Sequence, residues 1–266
     1  MYGFNYHKAS SVADAATKIN ANADAKLLAG GQTLLAAMKL RLASPSDLVD
    51  LKDVAELRGI KIEGGAITVG AMTSHADVAS SADLRKSIPA LCALAASIGD
   101  RMVRNMGTLG GSLANNDPAA DYPAAVLGAG ATIHTNQRKI AADDFFKGMY
   151  ETALQTGEII TSVSFPIPKR AGYAKFKNPA SRYAIVGVWV NDSGKSVRVA
   201  VTGAGPCVFR ATSLEQALSS RFSIDALANA KLSADGLNSD MHAAADYRAH
   251  LIKVMTRRAV EQALKI

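Results

Sequence analysis

The segment 107–121, which reads G-T-L-G-G-S-L-A-N-N-D-P-A-A-D, constrains this chain more than any other. It lacks the apolar periodicity of a core element, and it lies between two stretches rich in alanine and leucine that are typical of helices. Thr108, Gly110 and Gly111 are able to form a concavity of backbone N–H groups that binds an anion. The segment therefore favours a ligand site over a packed core or a linker.

A second glycine cluster, A-G-G-Q-T at 29–33, follows the short apolar run 26–28. We expect a strand there and then a helix over 33–42, whose first turn offers unpaired N–H groups and a partial positive charge. An ordinary turn with Thr33 as the helix cap fits this cluster equally well. Together, the two clusters predict one elongated ligand that carries phosphate, and a dinucleotide cofactor is the leading candidate.

Polar side chains follow the glycines of the first segment. Asn115, Asn116, Asp117 and Asp121 are able to hydrogen-bond a sugar-like chain or the polar edge of a ring. Asp117 is predicted to cap a helix that has Pro118 at its first position, with Asp121 one turn further along. We therefore expect these side chains to lie beside the ligand.

Several common motifs are missing from the sequence. It contains no G-x-x-x-x-G-K-[ST] loop, no G-x-G-x-x-G after a strand, no H-E-x-x-H and no G-x-S-x-G. Cys92 and Cys207 are isolated from each other, and the five histidines are scattered, so we predict no metal site in this chain. The sequence indicates cofactor binding without a catalytic acid, base or nucleophile.

Charge and hydropathy narrow the classes of partner. The formal net charge is +7, but the basic residues are dispersed without interleaved aromatic residues, which argues against a nucleic-acid footprint. No apolar run approaches the ~18 residues of a membrane helix. The first residues lack an apolar signal core, so we predict a cytoplasmic protein with no membrane span.

The order of predicted elements indicates an α+β protein with two domains. Helices and strands alternate over the first fifty residues, a hairpin is predicted across 64–65, and a single helix is predicted over 83–97. The sequence P-I-P-K-R at 166–170 interrupts the periodicity and is the best boundary candidate. A series of strands follows, and a helix over 247–266 closes the chain.

The two clusters and their surroundings resemble the FAD-binding medium subunit of the molybdenum hydroxylases, the family of xanthine dehydrogenase and carbon monoxide dehydrogenase. The family's first motif, A-G-G-[HQ]-[ST]-L, is matched at 29–34 and is followed by K-L-R at 39–41. The second motif, R-N-x-G-T-[IL]-G-G-[NS]-L, is matched at 104–113 and is followed by D-P-A-A-D. The C-terminal part is also similar, with Y-A-K-F-K at 173–177 and Y-A-I-V-G at 183–187.

The resemblance implies a fold and a set of cofactor contacts. The fold is a two-subdomain FAD-binding domain of the vanillyl-alcohol-oxidase/PCMH-like class over 1–170, with subdomains of about 1–54 and 55–170, plus a small α+β domain over 171–266. The pyrophosphate is expected at the Gly30 and Gly110 turns, Asp121 on the polar portion of FAD, and Ile160, Lys177 and Tyr183 near the isoalloxazine. The full expected set is Leu28, Ala29, Gly30, Gly31, Gln32, Thr33, Leu34, Thr108, Leu109, Gly110, Gly111, Ser112, Asn115, Asp117, Asp121, Ile160, Lys177 and Tyr183.

The same resemblance implies electron relay. A large partner subunit holds molybdopterin, a small partner subunit holds [2Fe–2S] clusters, and the FAD of this chain passes electrons to an external acceptor. Where the best-defined carbon monoxide dehydrogenases carry His, Ser and Pro-Met-Met, this chain has Gln32, Thr33 and A-A-M at 36–38. Aldehydes, purines and N-heterocycles therefore stay open beside carbon monoxide. A self-contained FAD-dependent oxidase and a non-catalytic binding module are the alternative functions.

Overall fold

A small parallel sheet with two helices opens the fold. The computed structural model describes residues 1–265. The first elements are β1 (Asn5–Lys8), α1 (Val12–Asn20), β2 (Lys26–Leu28), α2 (Leu34–Lys39) and β3 (Asp47–Asp50). The strand order is β1-β3-β2, with both pairs parallel. The Ser11 side chain caps α1. The helix α2 ends three residues before the predicted Leu42, because Arg41 has a positive φ of 61° that ends the helix.

A five-stranded antiparallel sheet and a layer of short helices follow. The elements are β4 (Ile60–Glu63), β5 (Ala66–Gly70), α3 (His75–Ser80), α4 (Ala82–Ser87), α5 (Pro89–Ala96), α6 (Arg101–Met106), α7 (Leu109–Asn115), α8 (Tyr122–Ala129), β6 (Thr132–Thr135), β7 (Lys139–Ala141), α9 (Ala142–Phe145), β8 (Phe146–Gly148), β9 (Glu151–Thr152) and β10 (Ile160–Pro166). The sheet order is β4-β5-β10-β6-β7, and the predicted hairpin joins β4 to β5.

The predicted single helix over 83–97 is wrong. The structure has two helices, α4 and α5, that meet at Ile88 and Pro89. Pro89 lacks an N–H and restricts the residue before it, so Ile88 leaves the helical region at φ −139° and ψ 65°. The apolar residues of both helices still face one core, which is why the periodicity in the sequence continues across the break.

A four-stranded antiparallel sheet with two helices completes the chain. Its elements are β11 (Arg170–Lys177), β12 (Ala184–Asp192), β13 (Val197–Thr202), β14 (Phe209–Arg210), α10 (Thr212–Ser220) and α11 (Ala245–Leu264). The predicted series of strands is thus present, and α11 begins two residues before the predicted 247. Ile266, the predicted end of that last helix, lies outside the described residues. The helix α11 packs against β11 and β12.

The helix α8 joins the last sheet to the preceding layer. Every residue of α8 is buried, which explains why it is apolar on all sides. It contacts both β12 and β13, and the fully buried Trp189 of β12 belongs to the same core as Val126. The edge of the last sheet is thereby held close to the N-terminus of α8, where the candidate site lies.

Candidate cofactor-binding site

A cavity of about 730 Å³ lies between the two glycine segments. This volume is in the range of small-molecule and cofactor sites, roughly 300–1,000 Å³. One part of its wall is apolar, with Leu27, Leu51 and Ile159 among its members, whereas Asp121 and Tyr183 belong to a more polar part. Ile159 packs in the core of the first sheet, while Tyr183 directly precedes β12 of the last sheet, so the cavity extends across most of the fold.

The first glycine segment offers free backbone donors to the cavity. Within residues 1–265, the amide N–H groups of Gln32, Thr33 and Leu34 donate to no protein acceptor. Gly31 has a φ of +73°, a conformation that favours glycine, and it turns the chain from β2 into α2. N–H groups without acceptors at the start of a helix are chemically suited to an anion such as a phosphate.

Gly30 has a different role from its neighbour. A Cβ at this position would overlap the carbonyl group of Met106 and lie 2.8 Å from the Gly107 Cα. Gly30 therefore allows the two glycine segments to pack backbone against backbone. This close approach is what brings the two motifs, far apart in sequence, to the same cavity.

The second glycine segment uses its own N–H groups internally. The segment 107–110 runs antiparallel to 71–75, so that Leu109 donates to the Thr73 carbonyl (3.1 Å) and Gly110 to the Ala71 carbonyl (2.8 Å). The Thr108 hydroxyl accepts from the Gly111 N–H at 3.2 Å and caps α7. Protein acceptors therefore already satisfy the N–H groups of Gly110 and Gly111, which the predicted concavity would offer to an anion.

Side chains of the second segment remain available to a ligand. Ser112 and Asn115, on α7, line the cavity, and neither side chain has a hydrogen-bond partner in the described part of the chain. The Thr33 hydroxyl of the first segment is likewise uncommitted. The cavity therefore offers hydroxyl, amide and backbone N–H groups from the two segments, which fits a cofactor that carries a pyrophosphate and a sugar-like chain.

Asp117 does not cap a helix. Its Oδ1 accepts from the Ala119 N–H at 2.8 Å in a local turn, and α8 begins at Tyr122, with Asp121 before it. Pro118 lies in that turn and not at the start of a helix. The reason is an added turn between the two helices: Asn116 adopts the left-handed conformation (φ 43°) and ends α7.

Asp121 is buried and makes its hydrogen bonds to the last sheet. Its carboxylate accepts from the Tyr173 hydroxyl and from the Lys175 ammonium, which lies 2.9 Å from Oδ1. Burial raises the pKa of Asp121, and the Lys175 charge and the Tyr173 hydrogen bond oppose that rise. Asp121 still lines the cavity, so its role toward the cofactor stays a prediction.

Tyr183 lies at the exposed end of the cavity, with 46% of its surface accessible. Burial raises the pKa of its hydroxyl, and the nearby Asp117 and Tyr150 raise it further. Tyr150 itself donates to Asp117 Oδ2 at 3.4 Å. Two tyrosines and a carboxylate thus border this end, where a ligand is within reach of solvent.

His75 and Arg182 are wall residues that the sequence reasoning did not select. His75 is buried, its Nδ1 has no hydrogen-bond partner, and its ring lies against Gly107. Burial, and secondarily the Arg104 charge, lowers the pKa of His75 to about 4, so the ring is neutral at neutral pH. The sequence shows that His75 directly follows a T-S pair, which lies just before α3. It does not show that His75 pairs with Gly107.

Most of the expected cofactor residues line the cavity, and three do not. Leu109 is buried in the core, and Leu28 lies outside the cavity wall. Lys177 is exposed at the end of β11, whereas Lys175 on the same strand reaches Asp121. The register shift between Phe176 and Lys177 separates the two lysines, so the expected position of Lys177 beside the ring has no structural support.

The described residues contain neither a group of metal ligands nor a helix suited to span a membrane. Among residues 1–265, no three His, Cys, Asp or Glu side chains are grouped so as to hold a metal ion. In the same part of the chain, no helix has the length and hydropathy needed to cross a bilayer.

Comparison with known families defines the class of this fold and site. Residues 2–168 match the family described as the FAD binding domain in molybdopterin dehydrogenase. Residues 171–263 match the CO dehydrogenase flavoprotein C-terminal domain. The chain is thus of the class of FAD-binding proteins of molybdopterin dehydrogenases.

Individual relatives agree over nearly the full length. The chain is 35% identical to the carbon monoxide dehydrogenase medium chain of Afipia carboxidovorans, over 98% of this chain and 96% of that one. It is 36% identical to the nicotine 6-hydroxylase medium subunit of Paenarthrobacter nicotinovorans, over 97% and 96%. The structure of reconstituted CO dehydrogenase from Oligotropha carboxidovorans matches with a TM-score of 0.91 at 34% identity, over 98% of both chains. Quinoline 2-oxidoreductase from Pseudomonas putida matches with a TM-score of 0.89 at 31% identity, over 99% and 98%.

These matches confirm the family and the fold class expected from the two motifs. The chain belongs to the family of FAD-binding medium subunits of molybdenum hydroxylases.

Proposed function

We propose that the cavity holds FAD with its pyrophosphate against the N–H groups of Gln32, Thr33 and Leu34. The free amides of this turn are the observation that carries the proposal. In the second glycine segment, the N–H groups of Leu109, Gly110 and Gly111 already donate to protein acceptors. Thr33 of the first segment and Ser112 of the second supply hydroxyl donors to the cavity. Bound FAD supplies the redox chemistry, and the protein contributes binding and orientation.

The isoalloxazine ring belongs, in this proposal, at the end bordered by Asp121 and Tyr183. Tyr183 and its neighbours Ser181 and Arg182 are exposed members of the wall, and an electron-transferring ring needs contact with an acceptor outside the protein. The apolar end near Leu27, Leu51 and Ile159 suits the adenine, since burying a flat base there removes apolar surface from water. Ile160, next to Ile159 in sequence, then lies closer to the adenine end than sequence reasoning expected.

In this role the chain relays electrons and does not transform the substrate. We propose that it receives electrons from the [2Fe–2S] clusters of a small subunit and passes them to an external acceptor, while a large molybdopterin subunit hydroxylates the substrate. The relatives support this division, since their names describe medium chains or subunits of larger enzymes. A cytoplasmic location and a division into domains at about residue 170 complete the proposal, and the two family matches meet between 168 and 171.

Reconstitution with FAD tests the proposal. The purified full chain, incubated with FAD and separated from free cofactor, is expected to retain one flavin per chain by absorbance. Loss of all flavin would favour the non-catalytic binding module.

The rival single-chain oxidase needs a second test. The chain loaded with FAD is expected to oxidise no organic substrate at rates typical of enzymes, roughly 1–10³ per second. Co-purification with a molybdopterin protein and an iron–sulfur protein would support the relay. Substrate turnover by the isolated chain would contradict it.

A further inference from the structure

Three cationic side chains converge on one short stretch of backbone in the cavity wall. Lys175 Nζ donates to the Ser97 carbonyl at 3.0 Å. Arg104 donates to the carbonyls of Ile98 (2.8 Å) and Gly99 (3.2 Å). Arg182 donates to the Gly99 carbonyl at 3.1 Å. The segment 97–99, which follows α5, is therefore held by side chains from two different parts of the fold.

Lys175 is the only one of the three that also holds the opposite wall. Its ammonium donates to Asp121 and, at 3.1 Å, to the Arg182 carbonyl in the loop between β11 and β12. Its side chain is 5% exposed, so it has little water to replace a lost partner. One buried ammonium thus joins the end of α5, the start of α8 and the loop 178–183.

All three of these segments contribute to the proposed ring end of the cavity. Ile98 and Gly99 line it from one side, Asp121 from the start of α8, and Arg182 and Tyr183 from the loop. Arg182 has a positive φ of 64°, an unfavourable conformation for a residue with a side chain, so the loop needs fixed partners to keep this shape. The Lys175 contact with the Arg182 carbonyl is such a partner.

We infer that Lys175 is a positioning residue, which fixes segment 97–99 and loop 178–183 at the distance that the flavin ring requires. The inference rests on the proposed FAD site and assigns this task to residues outside the two glycine motifs. Asp121 neutralises the buried ammonium, and Tyr173, two residues before Lys175 on the same face of β11, orients Asp121.

Stability alone does not explain the presence of the buried Lys175–Asp121 ion pair. Replacing a buried ion pair by apolar residues of similar volume is often neutral or stabilising. What an apolar replacement does not supply is a set of donors aimed at three acceptors on separate segments. The geometry therefore points to wall alignment as the task of the Lys175 ammonium.

The test is the full-length Lys175→Met variant, which keeps the length of the side chain and removes its donors. Compared with the wild-type chain, we expect the FAD dissociation constant to rise about tenfold or more, the usual effect of removing a group that orients direct ligands. Without FAD, we expect faster amide hydrogen exchange in residues 178–183 of the variant. Unchanged FAD affinity together with unchanged exchange would overturn the inference.

Two further variants separate wall alignment from a general loss of stability. Lys175→Met/Asp121→Asn removes both charges, so it carries the test if the single variant does not fold, and we expect its loop exchange to remain fast. Arg170→Met breaks the Arg170–Asp192 ion pair, where Arg170 is 27% exposed and does not line the cavity. This control is expected to keep wild-type FAD affinity and loop exchange.

The outcomes distinguish the inference from the function on which it rests. If the wild-type chain binds no FAD, the proposed function fails, and hydrogen exchange still decides whether Lys175 holds the loop. If the wild-type chain binds FAD and Arg170→Met weakens binding as much as Lys175→Met, the effect is general, and the inference is wrong.

Discussion

The two glycine segments have similar sequences but different structural roles. The first turn, around Gly31, leaves the amides of Gln32, Thr33 and Leu34 free and directs them at the cavity. In the second segment, the amides of Leu109 and Gly110 donate to carbonyl groups of 71–75 in a short antiparallel pairing. Glycine next to a hydroxyl residue therefore leaves backbone donors free in one place and allows close packing in the other.

The difference lies in what faces each backbone. Gly110 packs against Ala71, the residue that follows β5. A Cβ added to Gly110 would lie 2.6 Å from the Ala71 Cβ and 2.9 Å from the Ala71 carbonyl oxygen. Gly31 faces only the side chains of its own region, chiefly Leu35. The second segment thus forms the rigid wall that carries Ser112 and Asn115, and the first forms the proposed phosphate site.

The largest expected effect comes from Gly110→Val. Because its side chain would meet the Ala71 backbone, we expect the free energy of unfolding to fall by about 3 kcal/mol, the upper part of the usual range for overpacking a core. Gly3→Val is the control, since nothing lies within 4 Å of a Cβ there. Denaturant unfolding of both variants without FAD measures the difference. A stable Gly110→Val chain that merely lost FAD would mean that this glycine, too, serves the ligand.

The next effect concerns pH and His75, which packs on the second segment. Its pKa is about 4 in the folded chain, below the usual histidine value of 6.5, so the unfolded chain binds more protons between these values. The contribution of the neutral His75 ring to stability is therefore fully present above pH 6.5. It is lost as the pH drops toward 4, which lowers the free energy of unfolding by up to about 3 kcal/mol. His75→Gln should flatten this part of the stability profile, measured by denaturant unfolding from pH 4 to 7. Identical slopes in both proteins would refute the burial of a neutral ring.

A smaller effect is expected from Thr33→Val in the first segment. The variant removes the uncommitted hydroxyl and keeps the shape of the side chain. We expect FAD affinity to fall about tenfold or more, because a hydrogen bond to a charged group contributes about 1.5–3 kcal/mol. The unfolding free energy of the chain without FAD should stay unchanged. Wild-type affinity in this variant would remove Thr33 from the proposed phosphate site.

The smallest effect is expected from the matched change in the second segment, Thr108→Val. Its hydroxyl caps α7 at the Gly111 N–H, so we expect the unfolding free energy to fall by about 1 kcal/mol. FAD affinity should change less than in Thr33→Val. Calorimetry and FAD titration of the two variants together would contradict the comparison if Thr108→Val affected binding more than Thr33→Val.

The sequence predicts which residues belong to the candidate site better than it predicts how those residues are arranged. The motifs at 29–34 and 104–113 identified the family, and most residues of the expected site do line one cavity. The antiparallel pairing of 107–110 with 71–75 could not be read from the sequence, since two short segments more than thirty residues apart show no alternating pattern of their own. It is this pairing that satisfies the amides expected to bind an anion.

Local irregularities explain the remaining errors. A bulge after Phe176 leaves Lys177 in solvent and gives Lys175 the buried position, although both lysines belong to one strand. An added turn at Asn116 moves the start of α8 from Pro118 to Tyr122. Each is a shift of a few residues with no strong signal in composition or periodicity, yet each changes which side chain reaches the cavity.

The most direct test of the comparison is to observe the backbone amides themselves. In a ¹⁵N-labelled chain titrated with FAD, the amide resonances of Gln32, Thr33 and Leu34 should shift downfield on forming hydrogen bonds to phosphate. Those of Leu109 and Gly110 should move little, because their bonds to protein carbonyls persist. The reverse pattern, with the second segment shifting and the first unchanged, would contradict the assignment of the phosphate site.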